Sequence, residues 1–272
     1  MTNNKKIEIK NIGLTYESSG TSFQALKDVS LDINDGEFIS IIGSSGCGKS
    51  TLLSILEGLK TPTAGEVLID GKKVEGTGRE RGVVFQQYAL FPWMTAEKNI
   101  SFGIKQVRPD LSRKERLELA NEFLAKVGLT SARDKYPRDL SGGMQQRVAI
   151  ARALAMDTDI LLMDEPFGAV DAKTRVVLQE LLLNLWEGDG KSRKKTVVFV
   201  THDVDEAILL SDRIIMMRAN PGRVYREIPV NLPRPRSRTE LVKSPEYTSI
   251  RSEIMTLFFS DIRDQIDKEA VI

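Results

Sequence analysis

Cysteine and histidine are nearly absent, with one of each in 272 residues. A single cysteine cannot close an intramolecular disulfide, and this usage fits a reducing compartment. Net charge is also close to nil, +1 from 39 basic and 38 acidic residues, so no bulk electrostatic argument favours a nucleic-acid partner. Long apolar runs are missing. None approaches about 18 residues, so no segment is expected to span a membrane, and a membrane role would come through a partner. The opening Met1-Thr2-Asn3-Asn4-Lys5-Lys6 leads into a strand-like stretch and not into the apolar core of a signal peptide. There is no internal repeat and no long low-complexity segment. Hydrophobic residues make up 41% and charged residues 28%, ordinary for a soluble globular chain. The length allows one large domain or a domain with a sizeable insert.

Glycine, by contrast, is concentrated where it carries chemistry. Residues 43–51 read Gly43, Ser44, Ser45, Gly46, Cys47, Gly48, Lys49, Ser50, Thr51 and fit the phosphate-binding P-loop pattern G-x-x-x-x-G-K-[ST]. An apolar run precedes the loop (Phe38, Ile39, Ile41, Ile42). Apolar residues at helical spacing follow it (Leu52, Leu53, Ile55, Leu56). Strand, glycine loop and helix are the context the motif needs. The glycines let successive backbone N–H groups point into one concavity, at a helix N-terminus with partial positive charge. Lys49 adds a full charge for the β- and γ-phosphates, and Ser50 is placed to bind Mg²⁺. A nucleoside triphosphate site follows. Cys47 admits two readings: a thiol activated by the positive loop and shielded by Mg²⁺-ATP, or a small buried residue.

Four apolar runs end in polar residues: 38–42 before the P-loop, 82–85 before Gln86, 160–163 before Asp164 and Glu165, and 196–200 before His202. Continuous apolar runs separated by helical stretches predict buried parallel strands, with ligand at their carboxyl ends. Upstream, 6–16, 26–33 and 66–69 read as strands of an antiparallel sheet beside the nucleotide. Tyr16 in the first is either an aromatic face for adenine or a tyrosine packed on the sheet, and spacing alone favours packing. The expected fold is therefore α/β: a P-loop NTPase core of the RecA-like type, an antiparallel β subdomain, and a helical subdomain inserted at about 90–157. In the insert, Ser112 and Glu115 form a capping box before a helix that Gly128 can end. Beyond Met217 the prolines and arginines of 229–238 read as an extended basic connector. A helix begins near Ser244-Pro245 with the apolar stripe Tyr247, Ile250, Ile254, Leu257, Phe258, Ile262 and Ile266. This helix is either a tail packed on its own domain or a contact for a partner.

With these elements in order, the chain from about 6 to 238 resembles the ATP-binding subunit of an ABC transporter. The most specific feature is Leu140-Ser141-Gly142-Gly143-Met144-Gln145-Gln146-Arg147, which matches the family signature. The resemblance implies an ATPase using ATP and Mg²⁺. It gives Gln86 to Mg²⁺ and the attacking water, Asp164 to Mg²⁺, Glu165 to activating that water, and His202 to the γ-phosphate. Phosphoryl transfer needs mainly positioning and charge neutralisation, which this set supplies. It also implies a head-to-tail pair of cassettes, in which Ser141, Gly142 and Gly143 of one copy close on ATP held by the other and Asp171 crosses the interface.

Partners implied are a second cassette, either another copy or a sister subunit, together with membrane permease subunits and a solute-binding protein acting through them. The expected location is cytoplasmic, peripheral on the inner face of the cell membrane. Residues 90–95, 164–169, 218–223 and 232–236 are similar to the nitrate, sulfonate and taurine importer group. Val170 and Glu57 depart from common family residues without touching the chemistry. The competing reading is a soluble ABC ATPase remodelling a ribosome or DNA. It usually has two cassettes in one chain or a long coiled-coil insert, and neither is here. Apolar residues around Gln86, including Phe91, Trp93 and Met94, are expected to line a groove for a permease helix, or else to pack inside the insert.

Overall fold

The computed structural model describes residues 4–18, 20–187 and 194–269. Met1, Thr2, Asn3 and Ser19 lie outside the described residues, as do the side chains of Ile262 and Ile266. The chain divides into two compact units, Met1–Glu75 with Phe199–Ile272, and Gly76–Val198.

In the first unit, β1 (Lys5–Ser18) and β2 (Thr21–Asn34) form a long antiparallel pair, with Ile7 opposite Ile33, Ile9 opposite Leu31 and Tyr16 opposite Phe23. Alternation along β1 sends Ile7 and Ile9 into the core, and an irregularity at Asn11, where φ is 49°, resets the phase so that Ile12 and Leu14 are buried as well. β3 (Phe38–Gly43) is buried at every residue and delivers the glycine loop, which opens α1 (Lys49–Leu56). β4 (Ala64–Ile69) and β5 (Lys72–Lys73) complete an all-antiparallel sheet in the order β2-β1-β4-β5.

The second unit starts with β6 (Arg81–Val84). Helix α2 (Ala96–Val107) is capped by Thr95. Helix α3 (Arg113–Lys126) carries both bonds of the Ser112–Glu115 capping box, and α4 (Gly142–Ala155) is capped by Ser141. Strand β7 (Ile160–Asp164) pairs in parallel with β6, and α5 (Ala172–Glu187) follows. The division of the chain falls within β8 (Thr196–Val200).

The chain then returns to the first unit through α6 (Val204–Leu210), β9 (Arg213–Arg218), β10 (Arg223–Pro229), α7 (Arg238–Leu241) and α8 (Pro245–Glu269). β9 pairs in parallel with β3 and antiparallel with β10. It is a fifth buried strand beyond the four expected. Its signal was the apolar run Ile214, Ile215, Met216, Met217 between two arginines. No described helix is long and apolar enough to cross a membrane.

The stretch expected to be an extended basic connector is instead a clamp. The Arg236 guanidinium is buried and donates to the carbonyls of Ile208, Ser211, Val230 and Leu232 at 2.6–3.2 Å. Arg234 donates to the Leu210 carbonyl at 2.8 Å and to the Asp212 carboxylate at 2.9 Å. The end of α6 presents carbonyls that have no helical partner and carry partial negative charge, which is why arginine is stable there. Of the α8 stripe, Tyr247 and Ile254 are buried, while Ile250, Leu257 and Phe258 are half-buried.

Candidate nucleotide site

The loop 43–51 is held in shape from behind. A Cβ on Gly43, whose φ is 155°, would lie 2.5 Å from the Met217 carbonyl oxygen and 2.7 Å from Cys47 Sγ, so only glycine fits. Gly48 caps α1 at φ 92°, in the left-handed region. This helix start carries no side-chain cap and no acid in its first turn, whereas α2, α3, α4, α6 and α7 are each closed by a side-chain cap. Its first N–H groups are left for an anion. The Lys49 ammonium folds back over the loop, donating to the carbonyls of Gly43 at 2.8 Å and Ser44 at 3.1 Å. Ser45, Gly46 and Ser50 are exposed, and Ser44 and Thr51 sit at the half-buried edge. The cradle therefore has the shape and charge that a triphosphate requires.

Of the two readings of Cys47, the structure agrees with the small buried residue. Its side chain is fully buried, with Sγ 3.8 Å from Lys49 Nζ, and its amide donates to the Ser44 carbonyl. Burial pushes its thiol up, against the pull of Lys49. Cys47 contributes volume behind the cradle, not a side chain within it.

Tyr16 is exposed over about a third of its surface, at 37%. Lys60 donates to its hydroxyl at 2.6 Å and lies 4.4 Å from the ring centroid. Partial burial pushes the phenol up, but hydrogen bonds with Lys60 and Thr51 and the Lys60 charge outweigh it and leave the hydroxyl below its usual value. The hydroxyl is tethered to Thr51 of α1 and to Lys60 beyond that helix, while the ring stays partly exposed.

His202 is exposed between β8 and α6. The residues around it are tightly bonded. Asp203 N–H donates to Thr201 Oγ1 at 3.0 Å, Glu206 N–H to Asp203 Oδ1 at 3.0 Å, and Thr201 Oγ1 to Glu206 Oε2 at 2.6 Å. The amide of Thr201 bonds to the Ile41 carbonyl of β3, so the histidine follows a strand end beside the one that delivers the P-loop.

In the second unit, Asp164 ends β7 and Glu165 follows at φ 44°. A non-glycine residue in that region is strained, and such strain gathers at functional positions. Gln86 is exposed just beyond β6. Ser141 caps α4 by accepting from Met144 N–H at 3.3 Å. Gly142 abuts the Tyr88 hydroxyl, and a Cβ on Gly143 would lie 3.1 Å from the Ala169 carbonyl oxygen. Asp171 caps α5, accepting from Thr174 N–H at 2.9 Å and Thr174 Oγ1 at 2.6 Å; these bonds hold its carboxyl below the usual range. The buried Gln146 donates to the Pro166 carbonyl at 2.8 Å, joining the signature helix to the segment after Glu165.

Three contacts were not read from the sequence. Tyr88 follows Gln86 in an apolar stretch, Gln146 lies inside the signature itself, and Lys60 stands among many surface charges. Only Gln146 carried a usable signal, a glutamine on the face of α4 that its apolar neighbours bury.

The side chains expected at Mg²⁺ count one by one, by the donor atom each offers. No group of three or more His, Cys, Asp or Glu side chains that could hold a metal ion occurs among the described residues. A hydroxyl, an amide and a carboxylate (Ser50, Gln86, Asp164) are hard oxygen donors. They suit Mg²⁺ bound mainly through nucleotide phosphates and water.

Comparisons with known proteins agree with this chemistry. A family model described as ABC transporter matches residues 26–168, more than half of the chain. An uncharacterised ABC transporter ATP-binding protein of Methanocaldococcus jannaschii is 47% identical over 257 residues, covering 94% of this chain and 92% of that protein. The nitrate import ATP-binding protein NrtD of Synechococcus elongatus is 45% identical over 249 residues, covering 91% and 89%. Among solved structures, a dimeric ATP-binding cassette in a post-hydrolysis state, bound to ADP and Pi, is 42% identical with a TM-score of 0.76. That match covers 83% of this chain and 99% of the other. The α/β fold is accordingly that of a P-loop NTPase cassette, and the chain belongs to the ABC transporter family as an ATP-binding subunit that hydrolyses ATP.

Proposed function

We propose that the chain is the energy-coupling ATPase of an importer for a small solute such as nitrate, sulfonate or taurine, acting as a peripheral subunit on the cytoplasmic face of the membrane. The cassette would span about 1–238 with its helical insert at about 90–157, and 239–272 would form a C-terminal helical extension. The observation that carries the reading is the pair of glycine-opened helix starts. α1 begins without a side-chain cap after Gly48, and α4 begins at Ser141, Gly142 and Gly143. The first amides of α1 stand open to phosphate, while the start of α4 is closed by the Ser141 hydroxyl and would turn to phosphate only against a second cassette; one chain holds one of each. A second cassette, as in the dimeric structural relative, would let the signature of one copy close on the ATP held by the other, with Asp171 at that interface.

In this reading the P-loop amides and Lys49 hold the β- and γ-phosphates, and Tyr16 stacks on adenine. Ser50, Asp164 and Gln86 would hold Mg²⁺, which would supply charge neutralisation at the phosphate oxygens. Glu165 orients the attacking water and takes its proton. His202 contacts the γ-phosphate and keeps the reacting groups in line.

A permease would dock on the surface around 89–100. Trp93 is 69% exposed, Phe91 packs between Trp93 and Phe102 with ring centroids 5.5 and 4.7 Å apart, and Arg152 donates to the Ala89 carbonyl at 2.9 Å. A solute-binding protein would act through that permease. The kinship with a nitrate import ATP-binding protein supports the solute class. Uptake of labelled nitrate, sulfonate and taurine in a strain lacking this chain is the test. Loss of uptake of one of them, restored by the parent chain, supports the reading. Unchanged uptake of all three, with no hydrophobic membrane subunit co-purifying, would overturn it.

A further inference from the structure

Helix α8 is tied to its own unit by two sets of charged contacts, each standing behind a different part of the nucleotide site. Near its start, the Tyr247 hydroxyl and Arg251 Nε both donate to Oδ1 of Asp205, each at 2.7 Å. Asp205 lies in the first turn of α6, three residues beyond His202. The bonds among Thr201, Asp203 and Glu206 make that turn and the histidine segment one connected piece. A pull on Asp205 is therefore transmitted to the backbone that carries His202.

Some ten to fourteen residues further along α8, about 15–20 Å of helix, Asp261 is buried at 3% exposure and pairs with Arg218 Nε at 3.0 Å. Arg218 closes β9, and its guanidinium carbon sits 3.4 Å from the Tyr225 ring centroid. The turn from β9 to β10 lies directly against the P-loop. Met217 O is the atom that leaves no room for a Cβ on Gly43. A Cβ on Gly222 would lie 2.4 Å from the Cys47 carbonyl oxygen and 2.6 Å from that of Ala25. Gly222 N–H donates to the Ala25 carbonyl at 3.0 Å, and Lys27 N–H to the Gly222 carbonyl at 2.9 Å. Backbone meets backbone here at the closest approach, so the position of Arg218 reaches the phosphate cradle. Between the two sets of contacts, Ile254 is fully buried and fixes the helix.

We propose that α8 is a positioning strap for the nucleotide site: Asp261 sets the P-loop through Arg218, and Tyr247 with Arg251 sets the His202 segment through Asp205. The proposal rests on the reading of 43–51 and His202 as nucleotide-handling groups. A helix packed only for stability would affect binding and turnover together. A strap with two separate footings affects them separately, because the P-loop acts in ground-state binding and the histidine segment in the chemical step.

The test uses the full chain. ATP affinity is measured by equilibrium binding of a non-hydrolysable ATP analogue with Mg²⁺, turnover by steady-state ATPase assay, and stability by thermal unfolding. Asp261→Asn should weaken binding about fivefold and leave kcat within about twofold, and Asp261→Glu, which keeps the charge, should recover most of the affinity. Tyr247→Phe combined with Arg251→Gln should lower kcat about fivefold and leave binding within about twofold. Parental binding and turnover in both sets of variants would overturn the strap. So would parallel losses of binding and turnover that track a fall in Tm. Lys49→Ala separates the two claims. Parental ATP binding there would remove the reading of the loop itself, while lost binding there beside parental α8 variants would remove the strap alone.

Discussion

Tyr88 and Gly142 compete for one space: a Cβ on Gly142 would lie 2.6 Å from the phenolic oxygen and 3.4 Å from the ring carbon that bears it. The segment after Gln86 and the first residue of the signature helix are thereby in direct contact. Gly142→Ala should cost about 1–3 kcal/mol, the usual range for overpacking, and should lower ATPase activity. Adding Tyr88→Phe removes the obstructing oxygen and leaves an ordinary contact, so the double variant should recover most of the lost Tm. A double variant no more stable than Gly142→Ala would show that the tyrosine is not the obstacle.

Glu165→Gln keeps the shape of the side chain and removes its basicity. ATP binding should persist while hydrolysis falls about a hundredfold or more, within the range for loss of a general base. Two copies should then stay associated in ATP, which size-exclusion chromatography with and without nucleotide detects. Parental turnover would remove Glu165 from the proposed role.

Tyr16→Ala should raise KM for ATP about fivefold, equivalent to about 1 kcal/mol for one aromatic face, with a smaller change in kcat. Because Lys60 holds the ring by its hydroxyl, Tyr16→Phe should give an intermediate KM. A KM unchanged by the alanine would return Tyr16 to a packing role.

Trp93→Ala removes an exposed ring and leaves the nucleotide residues untouched. ATPase activity of the isolated chain should stay within about twofold, as expected for a surface change, while recovery in the membrane fraction falls. Normal transport and assembly would count against a docking surface at this loop.

Cys47 should react slowly with maleimide in the native chain, at the same rate with and without Mg²⁺-ATP, because its sulfur is fully buried. Unfolding in denaturant should expose it to rapid labelling. Fast labelling that nucleotide suppresses would restore the picture of an activated thiol.

What could be read before the structure was local. The P-loop, the capping box at Ser112 and the buried strand ending at Asp164 each announce themselves within about ten residues, through glycine spacing, a helix-start pair and an apolar run. The contacts that could not be read join distant positions. Phe38 N–H donates to Asp212 Oδ2 across 174 residues, and Lys60 reaches Tyr16 across 44. Arg234 and Arg236 looked like a solvated basic stretch because a run of charge and proline usually is one. Nothing nearby in sequence reveals the helix end they satisfy. Cys47 was left between two readings for a related reason. Its neighbours show the charge it sits beside, while its depth depends on strands that arrive 170 residues later.

The buried Asn99 gives the loop before α2 a property of its own. Its Oδ1 accepts from Phe91 N–H at 2.8 Å, and its Nδ2 donates to the carbonyls of Phe91, Met94 and Thr95 at 3.1–3.2 Å. One side chain thus immobilises the backbone on both sides of Trp93. A partner that lands on this loop meets a surface already frozen in place, so little conformational entropy remains to be lost on contact. The same rigidity lets force pass: a helix seated against Trp93 would push on a fixed segment, and its movement would be carried into the protein without being dissipated in the loop.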